Sequence, residues 1–337
     1  MATMLRRPFV RFVLVVIVLF VLVAGWFFLQ VDPVFAGEGK EVIVTVQQGE
    51  SVSAIAGELH AKGVIASPFA FRLENLVLGT PLIRSGSYEM RQGSSFASVR
   101  SILGSAPNVG VVTVSAGLTL HEVALDVAAQ KGNAYADRFV HDATAASTPS
   151  SFGDGSSLEG LIGVGTYVIK PSVTPSALAH EMVGRFAKEA ASVGLTPTTT
   201  TGGLDAYQTI IAASIVEKEG YYPRNMPQVA RVIFNRLARG GPLQMDSTVL
   251  YALGKDGGTV TPAMLKTPTP YNTYLNTGLT PTPICAVSTT ALKAVLHAPA
   301  GPWLYFTVID QSGDEAFSTT FAQQLKQEAI GASNGIS

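Results

Sequence analysis

The sequence predicts an α+β fold behind a single N-terminal membrane-spanning helix, and three observations predict it. An apolar run near the amino end is long enough to cross a bilayer. β-Branched strand segments alternate with helix-period segments over the first third, and later come strongly apolar helices separated by polar, Gly/Pro-rich loops. Composition agrees with a well-formed core: of 337 residues, 47% are hydrophobic and 14% charged, which excludes a disordered, strongly solvated chain. A chain this long is expected to hold two globular units, because single cores stop growing at roughly 250–300 residues. The formal net charge is −1 and the pI about 6.5. Nucleic-acid-binding domains typically have a pI above about 9, so no nucleic acid partner is expected.

The amino terminus is read first. Phe12 to Leu29 is an uninterrupted apolar run of about 18 residues, preceded by Arg6, Arg7 and Arg11 and followed by Gln30, Asp32 and Pro33. This predicts a transmembrane helix over 12–31. The basic residues all precede it, so residues 1–11 form a cytoplasmic tail and everything beyond about Asp32 is extracytoplasmic. The competing reading is a cleaved signal peptide, with Val34-Phe35-Ala36 as a small-x-small site before Gly37. Against it stand the length of the run and its aromatic end, Trp26-Phe27-Phe28, which suits a membrane interface. Both readings export the rest of the chain.

A linker over 32–40 leads into a strand–turn–helix region over 41–132, where one local pattern occurs three times. The first copy has Val42 to Val46, then Gly49, Ser51 and a helix segment closing at Gly63; the second has Tyr88, Gly93, Ser95 and Gly104; the third has Val111 to Val114, Gly117, Thr119 and Gly132. Glycine allows the positive φ of each turn, the hydroxyl residue caps the helix amino end, and the closing glycine supplies a left-handed cap. The spacing is irregular, so this is a repeated local solution and not a solenoid. The stretch Gln48 to Ala56 resembles the LysM signature of glycan-binding modules. A connecting region, 133–204, carries polar loops at 143–157 and 196–203 around a helix expected from Pro175 to Ala191.

The chemistry is expected in 205–330. Asp205 caps an apolar helix that ends in Glu217-Lys218-Glu219. Two residues along a helix is about 200° of rotation, so only one glutamate can face a given cleft. Glu217 is the better candidate for a general acid, because desolvation at the end of a buried helix disfavours a charged carboxyl. The bland alternative is a solvated helix end. The five histidines are scattered and Cys285 is the single cysteine, so neither a metal site, a disulfide nor a cofactor is expected, and Cys285 reads as a small buried hydrophobe.

Five further segments accompany that helix: Ile233 to Leu237, Leu243 to Tyr251, Pro270 to Tyr274, Gly278 to Ile284 and Leu304 to Phe306. Together with Ala213 to Glu219 this ordered set closely resembles the endolytic murein transglycosylases, the YceG-like or MltG-type family, over about Glu41 to Ile330. The resemblance implies a LysM-like α+β subdomain followed by a mixed α+β catalytic domain that cuts peptidoglycan glycan strands, with Glu217 as the catalytic carboxyl. Such enzymes cleave the MurNAc–GlcNAc β-1,4 bond without water and leave a 1,6-anhydro end, so Glu217 serves as acid and then base, with no second nucleophilic carboxylate. Tyr271 and Tyr274 offer faces for sugar rings, and Asn235, Gln244, Asp246, Thr248 and Asn272 offer hydrogen bonds for substrate binding. For Tyr271 to Tyr274 a buried turn is the alternative, and for Asp246 a helix cap. The resemblance also implies partners: nascent glycan strands, and penicillin-binding proteins or other peptidoglycan synthases beside a bacterial cytoplasmic membrane.

The pattern departs from the family at three places. Asp246-Ser247-Thr248 stands where Asp-Pro-Thr is usual, Glu159 to Tyr167 lacks the family's Pro and Asp, and Glu315 and Gln324 occupy positions where histidines are common. Two rivals therefore accompany the leading reading: a lysozyme-like muramidase and a non-catalytic peptidoglycan-binding scaffold.

Overall fold

The computed structural model describes residues 6–32, 39–144, 148–153, 157–220 and 222–336. Most of the expected linker, including Val34-Phe35-Ala36, and parts of the 143–157 loop lie outside the described residues. The chain divides into two compact units, 1–110 with 168–172, and 111–167 with 173–337. The architecture is α+β, as the alternating segments predict.

The first unit begins with helix α1 (Arg6–Val31), followed by β1 (Glu41–Val46), α2 (Val52–Ala61), α3 (Pro68–Leu78), β2 (Gly86–Arg91) and α4 (Phe96–Gly104). Within α1, Arg11–Val31 is apolar enough to cross a membrane. β1 and β2 pair antiparallel with Val44 opposite Tyr88 and Val42 opposite Met90. Their inward residues Val44, Val46, Tyr88 and Met90 form one core with Ile55, Leu59, Phe71, Phe96 and Leu103. Phe71 meets Phe96 edge-on at 5.3 Å between centroids, the geometry aromatic quadrupoles favour. The expected caps Ser51 and Ser95 each accept the N–H three residues on, and Ser67 caps α3 in the same way. One expectation fails locally, since Gly104 ends α4 inside the helix and Ser105 takes the cap position.

β3 (Gly110–Val114) pairs with β4 (Gly165–Ile169), and the second unit takes residues 111–114 of the one and 165–167 of the other. It further contains α5 (Leu120–Lys131), α6 (Asn133–Thr144), α7 (Pro175–Ser192), α8 (Ala206–Glu219), α9 (Met226–Ala238), α10 (Asp246–Ala252) and α11 (Thr289–Leu296). The hairpin β5 (Tyr305–Val308) with β6 (Glu315–Ser318) and helix α12 (Phe321–Ser333) close the chain. The boundary at Gly110 cuts the expected 41–132 region, and the third strand–turn–helix copy belongs with the second unit. The physical reason is its turn: the Gly117 N–H donates to the Ala286 carbonyl at 2.8 Å and the Ala286 N–H to the Leu118 carbonyl at 2.7 Å.

Helix α8 is the spine of this unit and packs on α9, α10 and α11. Asp205 and Gln208 cap it reciprocally. Thr209 to Val216 are all buried, which a helix apolar on every side requires. The helix stops at Gly220, where a Cβ would stand 2.7 Å from Met226 Cγ and 3.0 Å from the Val216 carbonyl, so the chain turns there against its own next helix.

Candidate active site

Glu217 and Glu219 leave α8 towards different neighbours, as the 200° of rotation demands. Glu217 is half-buried. Its Oε2 accepts the Ser288 N–H at 2.9 Å and the Ser288 O–H at 2.6 Å. Ser288 is also the N-cap of α11, its Oγ accepting the Ala291 N–H. One residue thus ties the Glu217 carboxyl to the first turn of α11.

Glu219 Oε1 accepts the Ser247 N–H at 3.1 Å at the start of α10. Burial raises its pKa above the ordinary carboxylate value; Asp246 adds to the rise, while the Ser247 bond and Arg236 oppose it. Asp246 is exposed and accepts the Tyr274 O–H at 2.6 Å. Gln244 is exposed beside it and holds φ at +51°, a left-handed conformation rare outside glycine and asparagine. Its N–H donates to the Thr273 carbonyl, and the next N–H, of Met245, donates to Thr273 Oγ1.

A third carboxyl, Glu159, was not among the expected site residues. It is 5% exposed. The Leu120 N–H donates to both its oxygens at 3.0 and 3.2 Å, and the Tyr251 O–H donates to Oε2 at 3.2 Å. Burial pushes its pKa up to about 7, against the lowering effect of those hydrogen bonds. The next residue explains the tight seat: Gly160 has φ +71°, and a Cβ there would collide with Pro283. Glu159 lines a pocket of about 350 Å³ with Lys218, Tyr251, Asp256, Tyr271 and Ile284. Lys218 Nζ bridges Asp256 at 2.8 Å and the Gly117 carbonyl at 3.2 Å. Tyr251 and Tyr271 stack obliquely, 5.0 Å between centroids, and the Tyr271 hydroxyl shares a hydrogen bond with Thr282 Oγ1. Glu217 does not line this pocket, although its neighbour Lys218 does.

The remaining expected residues are engaged within the fold. Asn235 donates to the Gly301 and Trp303 carbonyls. Asn272 is buried and donates to the Leu265 and Thr267 carbonyls. Thr248 is buried, donates to the Met245 carbonyl and shares a bond with Thr273. Thr248 and Asn272 fasten the loops that present Gln244, Asp246, Tyr271 and Tyr274, while Asn235 fastens the Gly301–Trp303 stretch before the last hairpin. Cys285 is buried, as expected, and burial pushes its thiol pKa well up. Among the described residues no group of three or more His, Cys, Asp or Glu is placed to hold a metal ion.

Fold and site together define an α+β protein with an apolar N-terminal helix and a carboxyl delivered from the end of a buried helix onto the cap of another. The chain belongs to the YceG-like family, whose profile matches residues 44–329, so the motif resemblance is borne out. It is similar to the endolytic murein transglycosylase of Bacillus subtilis strain 168, 27% identical over 323 residues covering 90% of this chain and 89% of that protein. It is also 27% identical to the endolytic murein transglycosylase of Streptococcus pneumoniae serotype 2 strain D39, over 81% of this chain and 55% of that protein. A crystal structure of a yceG-like protein from Listeria monocytogenes superposes with a TM-score of 0.58 at 25% identity, over 86% of this chain and 99% of that one.

Proposed function

We propose that this chain is a lytic transglycosylase, anchored by α1 in the bacterial cytoplasmic membrane with its N-terminus inside, that cuts nascent peptidoglycan strands at the MurNAc–GlcNAc β-1,4 bond. Glu217 is the observation that supports the reading: it sits half-buried at the end of α8, within the residues 44–329 that match the YceG-like family. Both Ser288 bonds go to Oε2, so Oε1 is the oxygen that donates. Protonated Glu217 gives its proton to the glycosidic oxygen as the C1–O bond breaks. The MurNAc C6 hydroxyl then bonds to C1 and returns its proton to the carboxylate, leaving a 1,6-anhydro end and an unchanged enzyme. Ser288 holds the carboxylate in place through both protonation states.

Tyr271 and Tyr274 present ring faces to the sugars, and Gln244 and Asp246 position the strand. Asn235, Thr248 and Asn272 act through the loops they hold. The strand–turn–helix region serves as a LysM-like glycan contact, and penicillin-binding proteins are the natural neighbours for an enzyme working on strands beside the membrane. The test is to incubate the detergent-solubilised full chain and its Glu217→Gln variant with uncrosslinked glycan strands and read the products by mass spectrometry. Anhydro ends from the parent alone are expected. Reducing ends would replace the reading with a hydrolase, and bound but uncut glycan would replace it with a scaffold.

A further inference from the structure

Helix α3 is apolar on the side that faces away from the core. Its inner face is Ala70, Phe71 and Asn75, all buried. Phe69, Leu73, Leu76 and Val77 lie at i, i+4, i+7 and i+8, one stripe of a helix, and all four are exposed, Leu76 and Val77 by 82% and 75%. Leu82, in the turn after the helix, is 74% exposed. A contiguous apolar stripe of this kind marks a contact surface.

Its neighbour indicates what covers it. Helix α1 packs on α3 and α4, with Phe27 and Val31 against the core of the unit. Phe27 lies about one helical turn before the last residue of α1, so α3 touches that helix near the end of its apolar run, at the level where a spanning helix leaves the hydrocarbon. Cations accompany the stripe: Arg72 is exposed on α3, Arg84 is exposed soon after it, and Arg100 donates to Asn75 Oδ1 and to the Gly79 carbonyl at the helix end. Glu74 is the single acid of α3.

We propose that the outer face of α3 and the turn following it form a second membrane contact, lying in the headgroup–acyl boundary of the bilayer that α1 crosses. The inference rests on the reading of α1 as an anchor. An amphipathic helix with apolar residues on one side and arginines near it is suited to lie in an interface containing anionic phospholipid. Two attachments remove the free rotation that one helix would leave, and so fix which side of the first unit faces the membrane.

The test uses the full chain in vesicles of phosphatidylglycerol and phosphatidylethanolamine, with an environment-sensitive fluorophore on Leu76→Cys, Leu19→Cys or Gln48→Cys; buried Cys285 is left in place and the unsubstituted chain serves as the labelling control. Quenching by lipids with a shallow nitroxide is expected to be at least threefold stronger at position 76 than at 48, with a blue-shifted emission. Deep nitroxides are expected to quench position 19. The charged pair Leu76→Glu with Val77→Glu, which alters exposed side chains alone, is expected to reduce quenching of a reporter at Leu73→Cys at least twofold. Quenching at 19 with position 76 no different from 48 overturns the docking and leaves the anchor standing. Protection of position 76 in native membranes but not in these vesicles also overturns it, in favour of a protein partner. Loss of quenching at 19 overturns the anchor reading and the docking with it.

Discussion

Glu159→Gln isolates a deeply buried carboxyl of the second unit. Burial carries the Glu159 pKa from 4.5 to about 7, so between those values the folded chain holds a proton that the unfolded chain has released. Stability from this group is therefore full below pH 4.5, falls as pH rises through the window, and levels off above about 7. At about 1.36 kcal/mol per pH unit the displacement is worth about 3 kcal/mol. Glutamine keeps a carbonyl oxygen for the Leu120 N–H but cannot ionise. Other groups, Glu219 among them, titrate in both proteins, so the quantity to measure is the difference between parent and variant. Denaturant unfolding of the full chain in detergent, followed by near-ultraviolet circular dichroism from pH 4.5 to 8, gives that difference. It should move by about 3 kcal/mol in favour of the variant as pH rises. A difference constant to within about 1 kcal/mol would refute the argument that burial governs this carboxyl.

Three other substitutions separate site chemistry from scaffold. Ser288→Ala removes the α11 cap and one of the two bonds to Glu217; thermal unfolding should show a loss of about 1 kcal/mol, and glycan cleavage should slow by more than that loss explains, with Ser288→Thr restoring both. Gln244→Gly relieves the left-handed φ of +51°, so stability should hold or rise by about 1 kcal/mol, while KM for glycan strands increases if the side chain contacts sugar; a fall in stability would count against strain there. Asn235→Leu leaves the Gly301 and Trp303 carbonyls without their donor, at a cost of about 1–3 kcal/mol, and should raise amide hydrogen exchange over residues 298–304 before it alters exchange in α8.

What could be read from the chain alone was what local chemistry decides. Asp205 followed by an apolar run announces α8 with its cap, and Ser51, Ser95 and Thr119 announce three helix starts, because each signal lies within four residues of its effect. The destination of the third copy was not legible, since its turn is held by Ala286, far along the chain. Amides are less legible for a related reason: Asn235 and Asn272 have the groups to hold a sugar, and a sequence does not show that carbonyls of Gly301, Trp303, Leu265 and Thr267 accept from them within the fold. Glu159 is the instructive omission. Its burial is assembled from Leu120, 39 residues before it, and Tyr251, 92 residues after it, so no cap or period marks it. One signal was available: a single charge set in Leu158-Glu159-Gly160-Leu161-Ile162, an apolar stretch that must carry its carboxyl inward with it. A lone acid in such a stretch either breaks the burial of its neighbours or acquires partners from elsewhere, and Leu158, Leu161 and Ile162 are all buried here. That argument identifies a buried carboxyl from sequence, while its pocket and its tyrosine emerge only when the distant segments are folded against it.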